Sequence, residues 1–291
     1  MPPKGSLKRR VVWVAVVLSL LGLLYGGVCW ILAEGYVSPV RLVEDPRPEW
    51  LIEVEIPSEG GDIPAWSSLD SVESDRPVFL LAHGYGGNRA YWNPLVEELR
   101  AYGDVVVPAM AGQGASRKDQ VGFGLTESRE LIDCAEWVRS RFPGRKIALI
   151  GVSMGGAACW LAAERRPELF SAVITEGSFM SLEAGSRDFL SVSIPGGATI
   201  FRPIILLAER KSGITADQVV PVRAAESWRG KPTLIIHGGE DRMFREEHAE
   251  ALARATGAEI WDVPAARHAE VTKLEPAEYA RRAAELLKPN R

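Results

Sequence analysis

One serine lies at a junction between two predicted elements, in a setting typical of a nucleophile. Residues 151–155, GVSMG, follow an apolar strand pattern over Lys146–Ile150 and open a helical pattern over Met154–Arg165. The flanking glycines let the strand and helix backbones approach closely around a strained turn at Ser153. Such a turn projects the hydroxyl above the sheet edge, beside the free N–H groups of a helix N-terminus. The pattern therefore predicts a nucleophilic serine, and the alternative is an ordinary Gly/Ser turn.

A serine hydroxyl needs a base to become nucleophilic, and the chain contains four histidines. His83 and His237 lie at the ends of predicted strands. His248 lies within a predicted helix over Glu246–Thr256, where we expect a solvated side chain. His268 lies in a loop after the last predicted strand and before the final helix. This leaves His268 as the candidate base, and we expect His83 to shape a loop rather than to transfer a proton.

The base in turn needs a carboxylate that holds its ring in one tautomer. Asp241 directly follows the strand that precedes the His268 loop, within the segment IIHGGEDRMF. The chain order Ser153, Asp241, His268 is an order in which such triads occur. Glu240 is the competing carboxylate, because it is adjacent to Asp241 in the same loop.

Acyl transfer also requires donors for the oxyanion that forms during attack. The loop LLAHGYGGNRAYW follows the predicted strand Val78–Ala82, and its glycines allow backbone N–H groups to point inward. We assign the two donors to the backbone N–H groups of Tyr85 and Met154.

The elements that position these residues alternate between strands and helices. Short apolar runs separated by amphipathic, helix-length segments predict a mostly parallel eight-stranded α/β sheet with helices on both faces. The predicted strands are Leu51–Ile56, Ile63–Ser67, Val78–Ala82, Val105–Pro108, Ile147–Ile150, Ala172–Thr175, Thr233–His237 and Glu259–Val263. Ligands of such sheets bind at the carboxyl ends of the strands, where the candidate residues lie.

The N-terminal region has a different character. The 23 residues Val11–Ala33 carry no charge, and at about 1.5 Å per residue they can cross a hydrocarbon layer of about 30 Å. They predict a transmembrane anchor over residues 11–33, with a cleaved signal peptide as the alternative. Basic residues are concentrated in residues 1–10, whereas Glu34 follows the span. The positive-inside rule therefore predicts a cytoplasmic N-terminus and an extracytoplasmic catalytic domain.

Three prolines within residues 34–48 predict a short extended stalk between the anchor and a catalytic domain at 49–291. The net charge of −4 and the dispersed Lys and Arg residues give no basic field of the kind that nucleic-acid binding needs. No metal-ligand spacing is present, so we expect neither a metal nor a cofactor.

The segments HGYGGN, GQGAS, GVSMGG, HGGEDRM and RHAEV together make the chain from Val78 to Leu287 resemble the α/β-hydrolase superfamily. The resemblance is to its serine aminopeptidase-like and membrane-anchored small serine hydrolases. Two positions depart from that pattern. Gln113 stands where relatives often have histidine, which we expect to affect packing only. Arg267 stands where glycine often precedes the catalytic histidine, which affects the expected geometry of the His268 loop.

The resemblance also indicates where substrate binds and what the chain does. It places a short cap at residues 179–228, whose apolar residues include Ile194, Ile200, Phe201 and Ile204. An ordinary helix packed on the sheet is the alternative for this segment. The expected activity is hydrolysis of a small-molecule or lipid acyl ester or thioester through an acyl-enzyme on Ser153. The alternatives are a peptidase or amidase of the same fold, and a non-catalytic binding or scaffold protein at the membrane.

Overall fold

The computed structural model describes residues 5–69, 74–193, 199 and 202–288. Its centre is an eight-stranded sheet with the spatial order β1-β2-β4-β3-β5-β6-β7-β8. The strands are β1 (Ile52–Ile56), β2 (Ile63–Ser67), β3 (Val78–Ala82), β4 (Asp104–Pro108), β5 (Ile147–Val152), β6 (Ala172–Glu176), β7 (Thr233–Gly238) and β8 (Ile260–Val263). β1 pairs with β2 and β2 with β4 in antiparallel fashion, and the other pairs are parallel. This confirms the predicted mostly parallel sheet.

Helices cover both faces of the sheet. The helices of the described residues are α1 (Gly5–Val37), α2 (Asn93–Leu99), α3 (Leu125–Arg141), α4 (Met154–Arg165), α5 (Leu182–Ser193), α6 (Arg202–Ser212), α7 (Pro221–Glu226), α8 (Glu246–Thr256), α9 (Val271–Leu274) and α10 (Pro276–Glu285). Alternate residues of one strand enter different cores: Leu80 packs with α3 and α4, whereas Phe79 and Leu81 pack with α2 and α10. Period-two alternation in a sheet covered on both faces produces this pair of cores.

The N-terminal helix is longer than predicted, and the segment after it is not a free stalk. α1 continues to Val37, so the first four residues of the predicted stalk are helical. Beyond it, Arg41 donates to the backbone oxygens of Ser116 and Lys118, and Glu44 pairs with Arg89 at 2.6 Å. The polar side chains of this segment therefore attach it to the globular domain.

Two glycines permit the turn between β5 and α4. A Cβ atom on Gly155 would overlap the backbone carbonyl of Ala82 in β3, and one on Gly151 would overlap the carbonyl of Gly155. The strand and the helix therefore approach more closely than any side chain allows. This close approach brings the start of α4 to the carboxyl end of the sheet.

Gly155→Ala is expected to lower the free energy of unfolding by about 3 kcal/mol, because the new methyl group meets backbone atoms that cannot rotate away. The measurement is the midpoint of thermal unfolding of the full chain in detergent. Gly35→Ala is the matched control, since no atom beyond the neighbouring residues and backbone of its own helix lies within 4 Å of the position its Cβ would take. Equal midpoints for the two variants would contradict this account of the turn.

Candidate active site

Ser153 occupies a strained position at the end of β5. Its backbone has φ +55° and ψ −118°, which is unusual for a residue with a side chain. The Ser153 N–H donates to the carbonyl of Glu176 at the end of β6, at 2.8 Å. The neighbouring strand thus holds the turn, and the hydroxyl faces the carboxyl edge of the sheet.

The loop between β8 and α9 brings His268 to this serine. His268 Nε2 lies 3.1 Å from Ser153 Oγ, and Nδ1 lies 2.7 Å from Asp241 Oδ2. An ionised carboxylate only accepts hydrogen bonds, so Nδ1 carries the proton and Nε2 is free to accept the serine proton. The edge of Phe244 packs perpendicular to the imidazole, with ring centroids 5.0 Å apart.

The carboxylate on the imidazole is that of Asp241. Its other oxygen, Oδ1, accepts from the backbone N–H groups of Met243 and Phe244 at 2.8 and 2.9 Å. The Asp241 side chain is 1% exposed, so its charge is held in place by fixed donors. The Glu240 residue next to it is exposed to solvent. The structure thus brings Ser153, His268 and Asp241 together and leaves Glu240 outside the group.

His83 supports the loop after β3, the role that its position predicts. It is fully buried, its Nδ1–H donates to the carbonyl of Gly84 at 3.0 Å, and its Nε2 accepts from the N–H of Met110 at 3.2 Å. Burial lowers the pKa of His83 to about 4, so the ring is neutral. Both nitrogens are occupied by the backbone, and the ring connects the β3 and β4 loops.

Gln113 contributes more than packing. Its side-chain oxygen accepts from the N–H of Gly86, in the loop that carries Tyr85. Gly87 N–H donates to the carbonyl of Gly84 at 3.1 Å in the same loop. Two of the loop's N–H groups are therefore committed to intramolecular bonds. The expectation that Gln113 affects packing alone was wrong, because an amide oxygen can accept a backbone proton where an apolar side chain cannot.

His248 is buried rather than solvated. It is 3% exposed, its Nδ1 accepts from Met180 N–H at 3.1 Å, and its Nε2–H donates to Asp188 Oδ2 at 3.0 Å. The expectation failed because α8 presents this face to α5, which the helix pattern alone does not reveal. His237 is also buried, within β7, and does not line the cavity beside Ser153.

The buried carboxylate of Glu176, which the sequence analysis did not identify, binds the residues that follow the His268 loop. Glu176 accepts from Val271 N–H at 2.9 Å and from the Thr272 hydroxyl at 2.9 Å, at the start of α9. Tyr91 Oη donates to the carbonyl of Ala269 at 3.2 Å. Burial raises the pKa of Glu176, and the two donors oppose that shift. An acidic residue at the end of the buried strand Ala172–Glu176 was the available signal.

A cavity of about 190 Å³ opens beside Ser153 and His268. Seven Tyr and Phe residues line it: Tyr36, Tyr85, Tyr91, Phe123, Phe179, Phe189 and Phe244. Such a lining favours an apolar group next to the serine. The volume is below the range of roughly 300–1,000 Å³ typical of sites for drug-sized ligands, so it accommodates part of a larger substrate.

Comparison with known proteins agrees with this architecture. The alpha/beta hydrolase fold family matches residues 77–193. The esterase Pf2001 of Pyrococcus furiosus superposes with a TM-score of 0.70 over 87% of this chain and 97% of that one, at 22% identity. The chain has the α/β-hydrolase fold.

Two rice proteins are similar to this α/β-hydrolase over shorter stretches. "Probable esterase PIR7A" of Oryza sativa subsp. indica is 35% identical over 106 residues, which is 35% of this chain and 39% of the relative. Esterase PIR7B of Oryza sativa subsp. japonica is 35% identical over 168 residues, 55% of this chain and 62% of the relative. The chain thus spans between about two fifths and three fifths of these relatives' lengths.

The region 179–228 of this α/β-hydrolase contains α5, α6 and α7. Leu182, Ser186 and Phe189 of α5 line the cavity, so at least this helix covers the site. Ile204 packs against α1 instead. Ile194, Ile200 and Phe201, which the sequence assigns to the apolar cap, lie outside the described residues. Within the described part of the chain, no cluster of three or more His, Cys, Asp or Glu residues could hold a metal ion.

Proposed function

We propose that this α/β-hydrolase is a membrane-anchored serine hydrolase that cleaves a carboxylic ester through an acyl-enzyme on Ser153. The observation that carries the proposal is the continuous chain of hydrogen bonds from Ser153 through His268 to Asp241, at 3.1 and 2.7 Å. Ser153, at one end of this series of hydrogen bonds, lines an apolar cavity in which an acyl group can lie. Similarity to esterases favours an ester over an amide as the substrate.

In the first half-reaction, Ser153 Oγ attacks the ester carbonyl while His268 Nε2 takes the hydroxyl proton. The negative charge that develops on the carbonyl oxygen is stabilised by backbone N–H groups, which we assign to Tyr85 and Met154. Both residues line the cavity beside Ser153. Collapse of the intermediate breaks the bond to the alcohol, and His268 returns the proton to the departing alkoxide oxygen.

In the second half-reaction, water attacks the acyl-enzyme and gives its proton to His268. The carboxylic acid leaves and Ser153 regains its hydroxyl proton. Asp241 holds the imidazole in one tautomer and supports the imidazolium in both half-reactions. The two backbone donors on its other oxygen keep the carboxylate oriented for this role.

Anchoring of the enzyme rests on α1. The helical segment Lys8–Val37 is long and apolar enough to cross a membrane. Its apolar side chains are exposed, for example Leu23 at 73% and Ile31 at 69%. A helix with apolar side chains exposed all round is stable only in an apolar solvent. The basic residues before it support a cytoplasmic N-terminus and an extracytoplasmic catalytic domain.

Ser153→Ala is expected to abolish hydrolysis of p-nitrophenyl butyrate and covalent labelling by a fluorophosphonate probe, since the nucleophile is gone. Ser140→Ala, at an exposed position in α3, is the control and should behave as wild type. Turnover of the Ser153→Ala enzyme at the wild-type rate would exclude the acyl-enzyme and leave a binding or scaffold role.

Asp241→Asn should lower kcat by roughly three to four powers of ten, with a smaller change in KM, because the imidazole loses its tautomer and its counter-charge. Glu240→Gln should lose less than about tenfold, since that carboxylate is solvated. Steady-state kinetics with a soluble ester measure both. Equal losses, or a larger loss at Glu240, would show that another carboxylate orients His268.

A reporter enzyme that is active only outside the cytoplasm should be active when fused after Arg291, because the positive residues hold the N-terminus inside. A second fusion at the same site, with a reporter active only in the cytoplasm, is the matched control and should be silent. The reverse pattern would place the catalytic domain in the cytoplasm.

A further inference from the structure

The last turn of the anchor helix forms part of the cavity wall. Tyr36 lines the cavity, and its ring centroid lies 5.0 Å from that of Phe123, 5.5 Å from Tyr85 and 5.9 Å from Phe189. Its hydroxyl is 3.0 Å from that of Ser186 in α5. Tyr36, three positions after the end of the uncharged span, is therefore enclosed by loops of the catalytic domain and by α5.

Backbone contacts hold this turn in place. Tyr85 Oη lies 3.2 Å from the carbonyl of Gly35 and 3.1 Å from that of Tyr36. The carbonyl of Val37 accepts from Val121 N–H at 2.9 Å, and the Val37 side chain is fully buried in the main core. The end of α1 is thus a structural part of the site rather than a flexible tether.

A second set of contacts joins α1 to α6. Cys29 and Ala33 are buried against Ile204. About two turns further along α6, Lys211 forms an ion pair with Glu34 and lies 3.7 Å from the centroid of the Trp30 ring. Apolar packing and the ion pair together set the direction in which the span leaves the domain.

These contacts place the cavity at the boundary of the bilayer. The uncharged span ends at Ala33, and three further residues of helix carry the chain only about 4.5 Å along the axis to Tyr36. The polar layer on each side of a hydrocarbon core is about 5–7 Å deep. Tyr36 therefore lies within the depth at which the ester groups of membrane lipids are found.

The exposed face of α6 suits the same boundary. Leu206 is 51% exposed, and exposed Arg202 and Arg210 lie four residues before and after it, on one face of the helix. Apolar side chains flanked by arginines are typical of helices at a membrane interface, where the guanidinium groups reach the phosphates.

We infer that the cavity takes the acyl group of an ester resident in the bilayer that holds α1, with Tyr36 as the wall that receives the acyl chain. The inference rests on the proposed function, since Ser153 performs the cleavage. The ester C–O bond breaks, water supplies the hydroxyl of the fatty acid, and the alcohol headgroup leaves with a proton. A cavity of about 190 Å³ holds part of one chain, so the headgroup stays at the surface.

The test uses the full chain reconstituted in phosphatidylcholine vesicles that contain 1-mono-oleoylglycerol. Release of oleate is compared with hydrolysis of p-nitrophenyl acetate by the same preparation. Tyr36→Ala should reduce kcat/KM for the oleoyl ester about tenfold more than for the acetate, because the acyl chain loses a wall. Tyr36→Phe keeps the ring and should retain the wild-type ratio, as should the control Tyr102→Ala, at an exposed turn.

Leu206→Glu tests the membrane face of α6 separately. The added carboxylate should lower the ratio of oleoyl-ester to acetate turnover several-fold, since α6 no longer seats in the interface. Ile52→Glu is the matched control, because Ile52 is 52% exposed on β1 and lies outside the α1–α6 contact. It should leave the ratio at the wild-type value.

The outcomes separate the two proposals. If Ser153→Ala leaves acetate hydrolysis intact, the proposed function fails. If acetate hydrolysis depends on Ser153 but neither Tyr36→Ala nor Leu206→Glu changes the substrate ratio, only the inference of a bilayer-resident ester is overturned. A wild-type enzyme that cleaves the acetate and releases no oleate from the vesicles overturns it as well.

Discussion

The close approach of backbones around Ser153 is the constraint on which the site depends. Gly151 and Gly155 leave no room for side chains, and the carbonyl of Ala82 lies where a Cβ of Gly155 would be. The N–H of Ser153 is tied to Glu176, so three adjacent strands hold one strained residue. Strain of this kind persists only where the surrounding structure determines it. The result is a hydroxyl that faces the cavity at the N-terminus of α4.

Glu176 connects that turn to the loop of the base. Its carbonyl accepts from Ser153 N–H, and its carboxylate holds the first turn of α9 just after His268. One residue therefore positions both partners of the hydroxyl–imidazole bond. A buried carboxylate is costly unless donors satisfy it, and here a backbone N–H and a hydroxyl do so. The hydrogen bonds that satisfy the Glu176 carboxylate therefore hold Ser153 and His268 in position.

Helix α1 extends the same constraint to the cavity beside Ser153. Tyr36 is enclosed by aromatic rings from the β3 loop, from the segment before α3 and from α5, so the cavity is completed by a residue from outside the globular domain. The depth of the site relative to the end of the uncharged span is then set by helix geometry. The proposed anchoring would couple the proposed chemistry at Ser153 to the position of the bilayer through one turn of helix.

The local pattern of apolar residues was sufficient to predict the sheet and its strands. Strand and helix periods predicted the eight strands and the parallel sheet, because burial on both faces leaves continuous apolar runs that only such a sheet explains. The spacing of glycines around Ser153 and the chain order of Asp241 and His268 were also readable, since turn geometry and chain order are written in local sequence. The sequence favoured Asp241 over Glu240 only through the resemblance of HGGEDRM, because adjacent side chains differ in direction only once a loop has a definite shape.

Contacts between distant parts of the chain decided the features that the sequence did not predict. The burial of His248 depends on Asp188 in another helix, and the role of Gln113 depends on an N–H 27 positions away. The docking of residues 38–48 depends on the backbone of residues 116–118 and on the side chain of Arg89. Tyr36 fell within the predicted stalk, and only tertiary packing placed it in the cavity. The sequence by itself determined which residues could perform hydrolysis, because their chemistry is intrinsic to their type. The tertiary structure decided what surrounds them, because contacts between segments far apart in the chain leave no periodic trace in it.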